Sequence, residues 1–233
     1  MKTFHKILIN CVASASLMVL AALPVTHAWA ASYNIDLGEG RFPTDTYGGA
    51  AGQPGLWNRV PLAGPGPIFD TSGGNPLEYF SYGFDTSVLS PPTGAPPEEE
   101  ALVGDGYIAS RSPVYMIDIH GLFGTYDVYL YDISDREYST GLLTVNNMRL
   151  GEANGTGIFT GGLVLGVDYL VASSVVTDGA LHIEGLSGVQ PIGLAGIQIV
   201  EIAAIPLPAA LPLFLTGLVG LGILGRKRRR SGG

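Results

Sequence analysis

The chain has 233 residues, a formal net charge of −8 and one cysteine, Cys11. Of its twelve basic residues, two lie in the first thirty positions and five in 226–230, so only Arg41, Arg59, Arg111, Arg136 and Arg149 accompany all twenty acids, a formal −15 without a lysine. That surface repels phosphate backbones and excludes nucleic acid as a partner, and the lack of cysteine after Cys11 excludes disulfides, thiolate nucleophiles and cysteine-based zinc sites.

The N-terminus reads as a signal peptide over residues 1–30. Lys2 and Lys6 precede an apolar run from Ile7 to about Val25, and Ala28-Trp29-Ala30 places small residues where a signal peptidase needs them. An N-terminal signal helix is expected, with cleavage after Ala30. Asn10 is not the small residue that precedes a lipidated cysteine, so Cys11 is not read as a lipoprotein site.

Residues 31–204 read as one exported domain, long enough for a single core without disulfides. Predicted strands are Tyr33–Leu37, Val114–His120, Tyr126–Ile133, Leu142–Val145, Tyr169–Val176, Leu181–Ile183 and Leu194–Ile202. Turn signals stand at Gly121, Asp135, Asn146-Asn147, Asn154-Gly155 and Asp178-Gly179. Alternation turns Tyr115, Ile117, Ile119, Tyr126, Val128 and Leu130 inward. It leaves Asp118, His120, Asp127, Tyr129 and Tyr131 on the opposite face.

The stretch from Gly38 to Pro97 is irregular, and Ser90–Glu100 (SPPTGAPPEEE) reads as an exposed loop whose solvated end is Glu98-Glu99-Glu100. No helical period is visible before residue 205. The expected fold is all-β, a two-sheet β-sandwich of jelly-roll or immunoglobulin-like layout.

After Glu201 the composition changes. Ile205-Pro206-Leu207-Pro208 is a stiff extended joint, and Ala209–Gly225 runs seventeen residues without a charge. As a helix that run spans about 25 Å, near the lower limit for a transmembrane segment. Arg226, Lys227, Arg228, Arg229 and Arg230 follow as a stop-transfer cluster that orients the domain outward. Residues 231–233 are a short tail.

Proline motif, short apolar helix and arginine cluster together resemble a PEP-CTERM sorting signal. Ile205-Pro206-Leu207-Pro208-Ala209 is similar to its VPLPA variant, with isoleucine for the leading valine and Leu207 where the commoner form has glutamate. The resemblance implies recognition at Pro206, Leu207 and Pro208 by an exosortase, a membrane sorting enzyme of exopolysaccharide-producing Gram-negative bacteria. Tyr33–Gly38, Tyr47–Asn58 and Leu194–Ile199 resemble the galactose-binding-like, jelly-roll β-sandwich ectodomains that precede such signals.

Catalytic motifs are absent. His120 and His182 have no metal-ligand spacing, no serine sits in a nucleophile elbow, and no Asp-x-Asp-x-Asp run favours calcium. No catalytic residue, metal or cofactor is expected. Tyr129 and Tyr131 are the candidate glycan contacts, with Trp57 and Tyr82 near loops as further stacking residues; the alternative, favoured by general aromatic usage, is that the tyrosines cover the second face of a sheet.

The expected role is a non-enzymatic structural or adhesive protein, anchored first in the inner membrane facing the periplasm and then placed at the cell surface or in the extracellular matrix. Exopolysaccharide is its expected partner there. The alternative is a secreted carbohydrate-active hydrolase, since twenty acids offer many chance carboxylate pairs.

Overall fold

Short β-branched and aromatic runs separated by glycine satisfy their backbone groups only by pairing with one another. The computed structural model describes residues 31–90, 92–133, 138–153, 161–186 and 191–202. The expected signal peptide, with Ala28 and Ala30, and the proline motif, apolar run and arginine cluster lie outside them. So do Arg136 and the turns expected at Asp135 and Asn154-Gly155.

Twelve strands and one short helix are formed among the described residues. They are β1 (Ser32–Asp36), β2 (Trp57–Arg59), β3 (Gly64–Ile68), β4 (Leu77–Tyr82), β5 (Thr86–Leu89), α1 (Pro97–Val103), β6 (Asp105–Ala109), β7 (Val114–Tyr131), β8 (Leu142–Val145), β9 (Met148–Gly151), β10 (Tyr169–Leu186), β11 (Ile192–Leu194) and β12 (Gly196–Glu201). The architecture is therefore all-β with two sheets. The larger runs β2-β1-β12-β7-β10-β8-β9, with β3-β4 joined to β7 through β4, and the smaller is β11-β6-β5.

β7 and β10 are each 18 residues long and pair antiparallel from Val114↔Leu186 to Tyr131↔Tyr169. Their far halves carry different neighbours. β12 pairs with Tyr126–Tyr131 of β7, whereas β4 pairs with Met116–His120, and β8 with Ile183–Leu186 of β10. We call these the β12 half and the β4 half.

Between the halves each strand of the ribbon changes the parity of its buried residues once. Buried Tyr115, Ile117 and Ile119 are odd-numbered, but buried Leu122, Tyr126, Val128 and Leu130 are even-numbered. The extra residue is Gly121, at φ +101°, opposite the Gly179–Ala180 step. β10 carries its own extra residue at Ser173-Ser174, between Ala172↔Val128 and Val175↔Tyr126. Ser174 sits at φ +57° and donates its amide to Asp127 Oδ1 at 2.9 Å. These are β-bulges, each shifting one strand by one residue. Their effect is that both halves turn an apolar face to one core, which contains Ile35, Ile68, Tyr79, Ile117, Val128, Val145, Ile183 and Ile199 together.

Several local expectations are corrected. Gly121 and Asp178-Gly179 are not turns between strands; they oppose each other inside one continuous ribbon. The predicted strand Leu194–Ile202 is divided at Ala195, where the chain passes from the small sheet to the large one. The irregular region after Gly38 contains β2 to β5, and Glu98-Glu99-Glu100 is the first turn of α1, not a loop end. Proline at the start and three acids in the first turn suit a helix N-terminus electrostatically, and Leu102 and Val103 anchor the helix in fully buried positions. The Asn146-Asn147 turn is a tight β8–β9 hairpin with both residues at positive φ, 45° and 68°.

A β-carbon at Gly121 would stand 2.9 Å from Leu77 Cδ2 in a backbone conformation closed to L-residues. Gly121→Ala is expected to destabilise by about 1–3 kcal/mol. Ser174→Gly relieves a left-handed serine while freeing the unfolded chain, so its net effect is expected within about 0.5 kcal/mol of zero. Urea unfolding of both variants checks the pair.

Candidate functional site

Two clusters of polar chemistry stand out, one buried and one open. The buried cluster lies where the last residue of β1 meets the first of β6. Asp36 is fully buried and Asp105 is 2% exposed. The Asp105 carboxylate occupies the space a side chain at Gly38 would need, and it accepts the Gly40 amide. Both Asp36 oxygens lack a hydrogen-bond donor, and the nearest cation is Arg59 Nε at 3.7 Å.

Burial, then repulsion from Asp105, pushes Asp36 up to about 9, with Arg59 only partly offsetting them. Burial pushes Asp105 up to about 6 against the pull of the Gly40 amide and Arg59. Two acids pushed apart in this way are the signature of acid–base pairs in enzymes. Here, however, Gly38 and Gly40 close directly over Asp105, and Asp36 has no exposed surface. The pair is a feature of the junction between the sheets.

The open cluster is the outer face of the β4 half. Inward Tyr79, Ser81, Ile117, Ile119, Leu181 and Ile183 are buried, so their neighbours face solvent. The strand registers set these outward residues in rows. Tyr82, Met116, Glu184, Thr144 and Arg149 form one, Phe80, Asp118 and His182 the next, and Glu78, His120 and Ala180 the third. Tyr82 is 50% exposed.

The polar groups in these rows are held in place. His182 Nδ1 and Asp118 Oδ1 are 2.6 Å apart, and the His182 amide donates to Asn146 Oδ1 at 2.7 Å. His120 meets the ring of Phe80 edge-on at 5.4 Å between centroids. The result is a broad surface of exposed aromatic and thioether area interleaved with oriented imidazoles, carboxylates and one guanidinium. Chemically it suits a ligand with apolar faces and a rim of hydroxyls.

Tyr129 and Tyr131 are elsewhere, on the outer side of the β12 half, and that side is covered. Tyr131 is fully buried in a second cluster with Trp57, Leu102, Val103, Ile108, Ile133 and Ala195. Its hydroxyl donates to Gln198 Oε1 and accepts the Ala50 amide at 2.8 Å. Gln198 in turn accepts the Ala51 amide at 3.2 Å and donates to Asn34 Oδ1 at 2.8 Å and the Gly48 carbonyl at 2.9 Å.

This network fastens the 48–53 loop over the sheet, so the expected glycan contact at Tyr131 is corrected. Its ring is packed and its hydroxyl committed. Tyr129 is half-buried and stacked on Tyr169 at 6.2 Å. Trp57 is 1% exposed and donates to the Tyr47 carbonyl. Of the aromatic residues singled out from the sequence, Tyr82 alone presents a largely free ring. Among the described residues no group of three or more His, Cys, Asp or Glu is placed to hold a metal ion, and no helix is long and apolar enough to cross a membrane.

The raised carboxyls make a prediction with a definite sign. Between the unfolded value near 3.8 and the folded values near 6 and 9, the folded chain binds more protons than the unfolded one. Stability from this pair is thus fully present below about pH 4 and falls as pH rises through 6 toward 9. Asp36→Asn removes the ionisation, so its melting temperature is expected to exceed that of the wild type at pH 8.5 and to converge with it at pH 4.5. Thermal melts across that range measure the difference. Comparison with family models, curated proteins and solved structures yields no match for this chain.

Proposed function

We propose that the chain is a non-enzymatic envelope protein with a jelly-roll-like sandwich domain that binds exopolysaccharide on the open face of the β4 half. On this reading it is exported and then sorted by an exosortase through Pro206, Leu207 and Pro208. Residues 209–225 hold it in the inner membrane before it reaches the surface or matrix. The observation that carries the binding role is the half-exposed Tyr82 ring beside rows of oriented His, Asp and Glu side chains. Pyranose rings offer apolar C–H faces to such an aromatic and hydroxyls to such a rim.

Covering roughly 60 Å² of the Tyr82 ring is worth about 1.5 kcal/mol, or about tenfold in affinity. Tyr82→Ala is therefore expected to weaken retention by the host's own exopolysaccharide in affinity electrophoresis about tenfold. Tyr131→Phe is expected to change stability and leave retention alone. Equal retention by Tyr82→Ala and the wild type rejects the face.

The sorting part is checked separately by intact mass of the protein from its host with and without the exosortase. A C-terminus near Pro206–Pro208 only when the enzyme is present is the expected result. An intact Arg226–Gly233 tail in both strains reduces the segment to a plain anchor.

A further inference from the structure

The crest between the two halves of the large sheet carries apolar side chains in an unusual place. Phe123 is 69% exposed and Val176 72%, and both point away from the core. They are diagonal neighbours across the ribbon, since Thr125 pairs with Val176 and Phe123 with Asp178. The Phe123 ring lies over Gly179, where a β-carbon would come within 3.4 Å of it.

The last described residue, Ile202, belongs to the same row. Its amide donates to the Thr125 carbonyl at 2.8 Å, and the residue is 39% exposed. Ile202, just past the end of β12, Thr125 of β7 and Val176 of β10 therefore run side by side, with Phe123 beside them. The described residues end at this crest, whose one exposed acid is Asp178, directly opposite Phe123.

Six residues, 203–208, separate Ile202 from the uncharged 209–225 run. Fully extended, six residues reach about 20 Å. Whatever holds 209–225 therefore keeps Ile202 within about that distance of it, with Phe123 and Val176 one and two strands further off. A second copy of the domain is a poor occupant, because each copy carries a formal −15 and like charges repel; the same charge restricts contact to a bilayer surface without net negative charge.

We infer that Phe123, Val176 and Ile202 form a bilayer-contact crest that seats the domain against the membrane interface while the chain is anchored. This rests on the reading of 209–225 as a membrane segment. The geometry turns the crest to the lipid and leaves Tyr82 and its rows on the flank of the β4 half.

The test uses the mature chain 31–233, which has no cysteine of its own, so that a single introduced cysteine carries a nitroxide label at Phe123→Cys, Val176→Cys or, as control, Leu89→Cys, which is 69% exposed on the small sheet. Each protein is incorporated into phosphatidylcholine vesicles, recovered by flotation and measured for collision with oxygen and with a water-soluble nickel chelate. The expected result is a severalfold rise in the oxygen-to-nickel accessibility ratio at 123 and 176, with no change at 89. Labels at 123 and 176 that match the one at 89 in floated protein overturn the crest and leave the anchor standing. Failure of all three proteins to float overturns the anchor, and the crest with it.

Discussion

The fold depends on two bulges placed on opposite strands of one ribbon. A strand exchanges its faces when its register slips by one residue, and β7 and β10 are both long enough to serve two halves of a sheet. Gly121 inserts the slip in β7 and Ser173-Ser174 inserts it in β10. Because the insertions compensate, pairing resumes on either side, and Ile117 and Val128 reach the same core although they differ in parity. β12, β4 and β8 each dock on a stretch of ribbon whose orientation these bulges have set. The open face follows from alternation on its own half: Asp118, His182 and Phe80 face outward because Ile117, Ile119, Leu181, Ile183, Tyr79 and Ser81 face the core.

Alternation and β-branched content made the centres of β1, β7, β8 and β10 legible, and in β7 the inward residues as well, since a period of two needs no tertiary information. The joints were not legible. Glycine at 121 and Asp178-Gly179 signal a break in periodicity, and a bulge produces the same signal as a turn. Strand β3 reads GPGPI, which contradicts strand propensity, and only an edge position makes its prolines tolerable. Helix α1 spans seven residues, too few to show a period.

The candidate site was legible in part. Alternation correctly placed Tyr131 opposite the core, but a residue outside one core is not thereby exposed. The 48–53 loop and α1 build a second cluster on that side, with Gln198 as the tie. The rows around Tyr82 join residues separated by as much as about a hundred positions, and nothing local marks them. The Asp36–Asp105 junction is hidden for the same reason. It continues the domain's acid excess into the interior, where one half-exposed arginine offsets two carboxyls.

The placement of β12 has a mechanical consequence. On the proposed reading the protein is fixed at one end and grips a polymer with its surface, so it would carry tension, and tension through Ile202 would enter the fold next to β12. That strand is not an edge. It is paired along its length with β1 on one side and β7 on the other, so it cannot be peeled away one bond at a time from a free margin. Two ladders must yield together, and β7 passes the load directly to the half that bears Tyr82. Such a connection is suited to holding on under flow.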